Sequence, residues 1–352
     1  MNFTPVETRV LDRIQKDFPV SMTPFRDMAE SLGIAEREFL DTIRNLKQAG
    51  ILRSIAGIFN ADRLGYVSCL VAFSVNEADL ESAAAAINSH PGVSHNYLRE
   101  NPFNMWFTIA SESKSKLLAA IGRLAAICEA SDHMVLFNEK MIKIGLMLPV
   151  GDDGPSGKPS SLTADASSRS EKHNLEDIPA AKFTDEDREA IRLLQIDLPL
   201  EENAFASLIE SSGSAIDTKT LISCMARFKA NNILRRYSGV LRHRKAGYRS
   251  NAMTVWRPED SADMRRISDI FAGERSISHL YLRTVYPGKW EYPLYAMIHA
   301  RNEDDLNAII EKLSRESGIA DYRILRTIRE FKKERVIYFS EKFKEWELSS
   351  GL

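Results

Sequence analysis

Apolar positions recur at helical spacing from the beginning of the chain. In residues 5–18, Val10, Leu11, Ile14 and Phe18 form one stripe behind Pro5, where a helix start tolerates proline. Two further helical stretches, 24–31 and 35–49, flank a break at Gly33, and Gly50 follows the second as a helix-ending residue. Three helices in this order outline a helix-turn-helix module. Residues 51–60 alternate as a strand does, and Leu64-Gly65 turns into a second strand. That pair reads as a wing, or as the link to the next domain.

From Tyr66 the pattern becomes strand, helix, strand, strand, helix, strand. Residues 66–75 are rich in Val, Leu and Phe, and 78–89 are alanine-rich and helical. Residues 92–100 and 103–110 read as a hairpin about Asn101-Pro102, 114–127 as an amphipathic helix, and 133–148 as the closing strand. This is the split βαβ, ferredoxin-like plan. Residues 151–182 then lose all apolar periodicity and fill with Gly, Ser, Asp and Pro. They read as a flexible linker with a mean span of roughly 30 Å.

After the linker the programme restarts. Residues 183–195 are helical behind Thr184, with Asp187 three positions on, a near-miss for a capping box. Helices at 204–211 and 217–230 follow. Residues 233–248 (ILRRYSGVLRHRKAGY) then repeat 51–66 (ILRSIAGIFNADRLGY) without a gap. Arg53 and Arg235 lie 182 residues apart, and His95 and His279 lie 184 apart, so the repeat drifts by only two residues. One unit has been duplicated and fused. The fold expected is α+β, a tandem repeat of winged helix-turn-helix plus ferredoxin-like (βαββαβ) domain. Its boundaries are 1–64 and 65–150, the linker 151–182, then 183–246 and 247–345.

The most informative stretch is a short strand written twice, Val93-Ser94-His95-Asn96-Tyr97-Leu98-Arg99 and Ile277-Ser278-His279-Leu280-Tyr281-Leu282-Arg283. Alternation along a strand puts His95, Tyr97 and Arg99 on one face, and His279, Tyr281 and Arg283 likewise. A face of imidazole, phenol and guanidinium suits water or a ligand rather than an apolar core. The plain alternative is a solvated sheet face. Repetition with every offset kept weighs against coincidence.

Where the copies differ, the second gains charge. It has Arg242-His243-Arg244-Lys245 in place of Asn60-Ala61-Asp62-Arg63, which with Arg235 and Arg236 makes a cationic strip. Such a strip is a solvated surface or a site for phosphate or carboxylate, where Arg offers planar paired contacts. Its expected position on the wing, beside the His-Tyr-Arg strand, favours the ligand. The second copy also inserts Thr284 to Tyr292, bringing Lys289 and Trp290, a loop suited to covering a flat, acidic ring. His243 and His299 read equally as structural or catalytic. Met134, Met141 and Met147 read as core, and His90 and His133 as solvated element ends.

The totals narrow the class. A net charge of −2 over 352 residues lacks the positive excess of a dedicated nucleic-acid binder. Three cysteines (Cys69, Cys128, Cys224) make no paired framework or metal-like spacing, which points to a reducing, cytoplasmic setting and no metal site. No signal-like or long charge-free apolar run is present, so neither a leader nor a membrane span is expected.

A winged helix followed by a ferredoxin-like domain resembles Lrp/AsnC-type regulators, in each half from end to end. A recognition helix beginning Ala35-Glu36-Arg37-Glu38, however, turns carboxylates toward phosphate, so DNA binding is not expected. The halves resemble siroheme decarboxylases more closely. The segment HPGVSHNYLRENPFNMWFT (90–108) is similar to one subunit type, and RRYSGVLRHRKAGYRSNAM (235–253) to the other, so the chain resembles the two subunits fused. The first wing departs from the pattern, with Ser54-Ile55 where the second has Arg236-Tyr237.

The resemblance implies non-oxidative removal of two acetate carboxyl groups from siroheme, giving 12,18-didecarboxysiroheme for haem or haem d1 synthesis. A regulator or tetrapyrrole-sensing binding protein is the alternative. The expected catalytic residues are His95 and His279, as proton donors or iron ligands, with Tyr97 and Tyr281 orienting them. Arg99, Arg283, Arg235, Arg236, Arg242, His243, Arg244 and Lys289 would hold the substrate's carboxylates. Trp106 and Trp290 would wall its ring, unless Trp106 only fills the core between sheet and helices. No cofactor beyond the iron tetrapyrrole substrate is expected. The halves are expected to pair as a pseudo-heterodimer, with a homodimer of chains open.

Overall fold

A computed structural model describes residues 3–144, 183–241, 250–260 and 263–351. Arg242, His243, Arg244, Met147 and the proposed linker lie outside them. The described residues fall into two compact units. One is drawn from Met1–Tyr66, Ile178–Lys245 and Ile337–Glu341, the other from Val67–Asp177, Ala246–Val336 and Lys342–Leu352. The chain thus sorts by module type: both helix-turn-helix copies share one unit, and both ferredoxin-like copies share the other.

In the first unit, α1 (Pro5–Gln15), α2 (Pro24–Leu32) and α3 (Glu36–Gln48) precede β1 (Leu52–Phe59). Their repeats are α6 (Asp185–Leu194), α7 (Ala204–Ser212), α8 (Thr218–Ala230) and β6 (Leu234–Leu241). Capping is better than the sequence promised. Thr184 and Asp187 close a full capping box, each side chain accepting the other's backbone N–H at 3.1 Å, because Asp reaches as Glu would. Gly33 and Gly213 end α2 and α7 in the left-handed region, at φ 66° in both.

The expected wing hairpin within each copy is not what forms. β1 pairs antiparallel with β6, one strand from each copy, in a two-stranded ribbon. Gly57 sits in this ribbon because a Cβ there would meet Leu194 O at 2.9 Å. Two ion pairs repeat the exchange. Lys47 at the end of α3 meets Asp197 of the second copy at 2.6 Å, and Lys229 at the end of α8 meets Asp17 of the first at 2.9 Å. Each aspartate also accepts a ribbon N–H, Asp197 from Ile55 at 2.8 Å and Asp17 from Tyr237 at 2.9 Å.

In the second unit the first copy runs β2 (Val67–Ser74), α4 (Leu80–Ser89), β3 (Val93–Arg99), β4 (Met105–Ser111), α5 (Lys114–Ile127) and β5 (Asp132–Ile144). The second runs β7 (Ser250–Trp256), α9 (Met264–Gly273), β8 (Ile277–Arg283), β9 (Leu294–Ala300), α10 (Glu303–Ser317), β10 (Tyr322–Leu325) and β11 (Thr327–Lys333). Helix α11 (Lys342–Ser350) comes last and sends Trp346 into the first copy's core.

Nine strands form one sheet in the order β10-β7-β9-β8-β5-β2-β4-β3-β11. Its two outer strands, β10 and β11, are consecutive in the chain with only Arg326 between them. The closing strands are traded. β5 pairs first with its own β2 and then with β8 of the other copy. β10 pairs with its own β7, and β11 crosses to β3.

Each copy packs its helices on one sheet face, around Phe73, Phe107 and Leu117 in the first and Trp256, Phe271 and Leu313 in the second. The opposite faces meet in a third cluster drawn from both copies, including Leu70, Trp106, Met134, Tyr295 and Leu325. In this unit the large apolar side chains are buried in these three layers, each worth about 1.5–3 kcal/mol.

Candidate functional site

The doubled strand faces that third layer. On β3, Asn96 and Leu98 lie opposite Phe107 and Met105, on the helix side. His95 and Tyr97 lie opposite Thr108 and Trp106, on the other side. β8 repeats this, with Leu280 on the helix side and Tyr281 opposite Tyr295 in the layer between the copies. The alternation expected from sequence holds, and both triads look inward. A β-bulge precedes each histidine, between Val93 and His95 and between Ile277 and His279, and re-aims the ring relative to the flanking ladder.

Within each triad the side chains stack. His95 and Tyr97 have ring centroids 6.0 Å apart, and the Arg99 guanidinium lies 5.1 Å over Tyr97. His279 and Tyr281 are 6.1 Å apart, with Arg283 at 5.0 Å over Tyr281 and 5.5 Å over Tyr295. Each histidine Nδ1 contacts the serine before it, Ser94 Oγ at 2.9 Å and Ser278 Oγ at 2.8 Å. That contact engages Nδ1 of each ring. Burial lowers the His279 pKa, and the positive charge of Lys333 lowers it further.

The arginines are built in, not held open. Arg99 is 5% exposed and donates through Nη1 to Leu325 O at 2.6 Å and Thr327 Oγ1 at 3.2 Å. Arg283 donates to Leu136 O at 3.1 Å. Each therefore ties its strand to the crossing strand of the other copy at the point of exchange. Both Nε atoms are buried without a partner among the described residues. Burial pushes the Arg99 pKa down to about 10, so it remains a cation at neutral pH, and burial lowers that of Arg283, whose guanidinium is intrinsically a very strong base.

Several other expected site residues sit differently. Trp106 is not between sheet and helices; it packs against Trp290 at 5.4 Å in the layer between the copies. Its Nε1 donates to Phe103 O, and that of Trp290 donates to Tyr295 Oη at 2.7 Å. Lys289 is pinned, its ammonium 2.5 Å from Asp132 and 3.0 Å from His133 O. The inserted loop is a brace: Thr284 and Tyr286 side chains accept the N–H groups of Phe137 and Val135 along β5. Arg235 and Arg236 are exposed on β6, in the ribbon of the other unit, and not in the sheet that carries the two triads. Arg235 is hydrogen-bonded to Asn60. His90 is buried at the end of α4, not solvated, because α11 brings Trp346 to 4.4 Å of its ring. Burial pulls its pKa down to about 4. His133 is exposed, as expected.

Sequence reasoning missed what the crossing strands add. β11 places Lys333 opposite His95 and Glu330 opposite Tyr97, whereas β5 places Ile144 opposite His279 and Met141 opposite Tyr281. The strand neighbours of the first triad thus include Lys333 and Glu330, and Met141 is the neighbour of Tyr281 in the second. Lys333 is also the charge felt by His279, so one side chain from the end of the chain acts near both imidazoles. The excess of Lys and Arg in residues 329–333 was a visible signal, without a known destination. Among the described residues no group of three or more His, Cys, Asp or Glu is placed to hold a metal ion, and no helix is long and apolar enough to cross a membrane.

Two family descriptions match. Residues 7–53 fit the siroheme decarboxylase NirDL-like HTH domain, and 63–143 and 245–332 each fit the AsnC-like ligand binding domain. The chain is 36% identical over 342 residues to a siroheme decarboxylase of Hydrogenobacter thermophilus, covering 96% of each protein. It is 35% identical over 160 residues to the siroheme decarboxylase beta subunit of Oleidesulfovibrio alaskensis, 46% of this chain and 99% of that one. A crystal structure of the siroheme decarboxylase NirDL in complex with an iron-uroporphyrin III analogue superimposes with a TM-score of 0.76 at 30% identity, covering 98% of both chains.

Proposed function

Since the chain belongs to the siroheme decarboxylase family, we propose that it removes two acetate carboxyl groups from siroheme, without oxidation, to give the didecarboxylated macrocycle. The observation that carries this reading is the pair of inward His-Tyr-Arg stacks, each built across the exchange of strands between copies.

The chemistry asks for three things of these residues. A polycarboxylate substrate needs positive potential, and Arg99 and Arg283 supply it as fixed cations, with no carboxylate hydrogen-bonded to either among the described residues. A low-dielectric wall then lets that potential act at a distance, so these arginines attract acid groups without opening a two-pronged contact. Departure of CO2 leaves an electron pair on the acetate carbon, which the conjugated macrocycle delocalises. His95 and His279 deliver the proton that quenches it. Burial and the charge of Lys333 lower the His279 pKa, so its imidazolium form gives up a proton more readily than a solvated one. Tyr97 and Tyr281 hold each ring between imidazole and guanidinium. No second cofactor is needed in this scheme, and the reaction class is a carboxy-lyase. The helix-turn-helix copies are scaffold in this reading, since α3 opens with Glu36 and Glu38.

Anaerobic incubation of the purified full chain with siroheme tests the proposal. Mass spectrometry should show a product lighter by two CO2, with a mono-decarboxylated intermediate. Folded protein that binds siroheme and leaves it intact removes the enzymatic reading and favours a tetrapyrrole-sensing one.

A further inference from the structure

The two histidines do not have the same support. On β8, the Ser278 hydroxyl lies 2.8 Å from His279 Nδ1 and 2.7 Å from His299 Nε2, while its contact to Met297 O is long, at 3.5 Å. Ser278 is 1% exposed, so bulk water does not substitute for either ring. A hydroxyl has one proton to give. When it donates to one imidazole, it accepts from the N–H of the other, and the tautomers of His279 and His299 become linked.

The first copy cannot make this chain. His299 N–H donates to Ser276 O at 2.9 Å, and the matching bond there is Ala110 N–H to Gly92 O at 3.0 Å. The ladders agree: His279 faces Met297 on β9, and His95 faces Thr108 on β4, so Ala110 stands where His299 stands. His95 keeps its serine, and a methyl group takes the place of the second imidazole.

Resting on the decarboxylase reading, we propose that His299 is a positioning residue that sets the tautomer of His279, and reloads it with protons, through Ser278. With His299 Nε2–H donating to Ser278 and Ser278 donating to His279 Nδ1, the His279 ring carries its proton on Nε2. As the C–CO2 bond breaks, the electron pair stays on carbon, the Nε2–H bond breaks and a C–H bond forms. His279 Nδ1 takes the serine proton, Ser278 takes the Nε2 proton of His299, and His299 takes one from water on Nδ1. The relay resets when His279 gains a proton from water at Nε2 and passes the one on Nδ1 back through Ser278, while His299 returns its Nδ1 proton to water. The net transfer is one proton from water to carbon. Among the described residues, the ionisable groups reaching His279 are His299 from β9, Lys333 from β11 and Tyr281 on its own strand.

The test uses the full chain, with His299→Gln, His299→Ala, Ser278→Ala and the double variant Ser278→Ala/His299→Gln. Gln keeps a hydrogen-bond donor but passes no proton. Expected are a 10- to 100-fold lower kcat in each single variant, siroheme affinity within twofold of the parent by absorbance titration, and a double variant no slower than the slower single one. Imidazole in solution should partly restore His299→Ala and not His299→Gln. Parent-like kcat and pH profile in His299→Gln, or losses that multiply in the double variant, overturn the relay. Nitrogen-15 NMR of labelled histidines reads the tautomer of His279 with no turnover. A tautomer unchanged by His299→Ala overturns the relay even if the parent chain turns out inactive, an outcome that separately defeats the decarboxylase reading.

Discussion

At the scale of single residues, the buried arginines decide between two opposed costs. Arg99 satisfies Leu325 O, a bond whose loss costs about 1–3 kcal/mol by leaving a carbonyl unpaired. Keeping a guanidinium inside without a carboxylate costs several kcal/mol in desolvation. Arg99→Met should therefore leave the midpoint of thermal unfolding within a few degrees of the parent, or raise it. The same variant should weaken siroheme binding at least tenfold in an absorbance titration. A large fall in stability with unchanged binding would make Arg99 a strut and nothing more. The facing of His95, Tyr97 and Arg99 was legible in the sequence because strand alternation is a local rule. What each polar atom touches was not, since Leu325 and Thr327 lie more than 200 positions downstream of Arg99.

At the scale of elements, the helices and strands of the first copy were legible to within a few residues, because their periodicity is carried by neighbours in the chain, whereas β11 and α11 were not read. Partnership was not. Residues 51–60 announce a strand, yet nothing in them tells a hairpin partner from the same stretch of the other copy. The strand after 133 was likewise visible, while its division between β2 and β8, and the register shifts after Asn138 and Met141 in the second pairing, are not marked by propensity. Asp17 and Asp197 lie just past α1 and α6, and they lock the ribbon. Each combines a half-exposed ion pair, worth about 0–1 kcal/mol, with a backbone N–H. Asp197→Ala should lower unfolding free energy by about 1–3 kcal/mol in urea titrations, and Asp197→Asn by less than about 1 kcal/mol, since Asn still accepts from Ile55. Equal losses would assign the effect to charge alone.

At the scale of the whole molecule, the halves are joined by ladders, not only by the peptide connecting them. β1 with β6, β5 with β8, and β3 with β11 each pair one copy with the other. Residues 1–160 and 170–352 produced together as separate chains should co-purify as a one-to-one complex and retain decarboxylase activity. Either fragment alone should aggregate, having lost the strand that covers its edge. Two fragments that fold and stay apart would refute this. The repeat that announced a duplicated chain gave no warning of the exchange, because duplication is written in sequence and pairing is settled by which edges remain open. The crossing of β11 also separates address from effect. A lesion in residues 327–333, at the far end of the second half, should damage the environment of His95 in the first and spare the backbone beside His279. Inheritance along the gene and injury within the protein thus follow different maps.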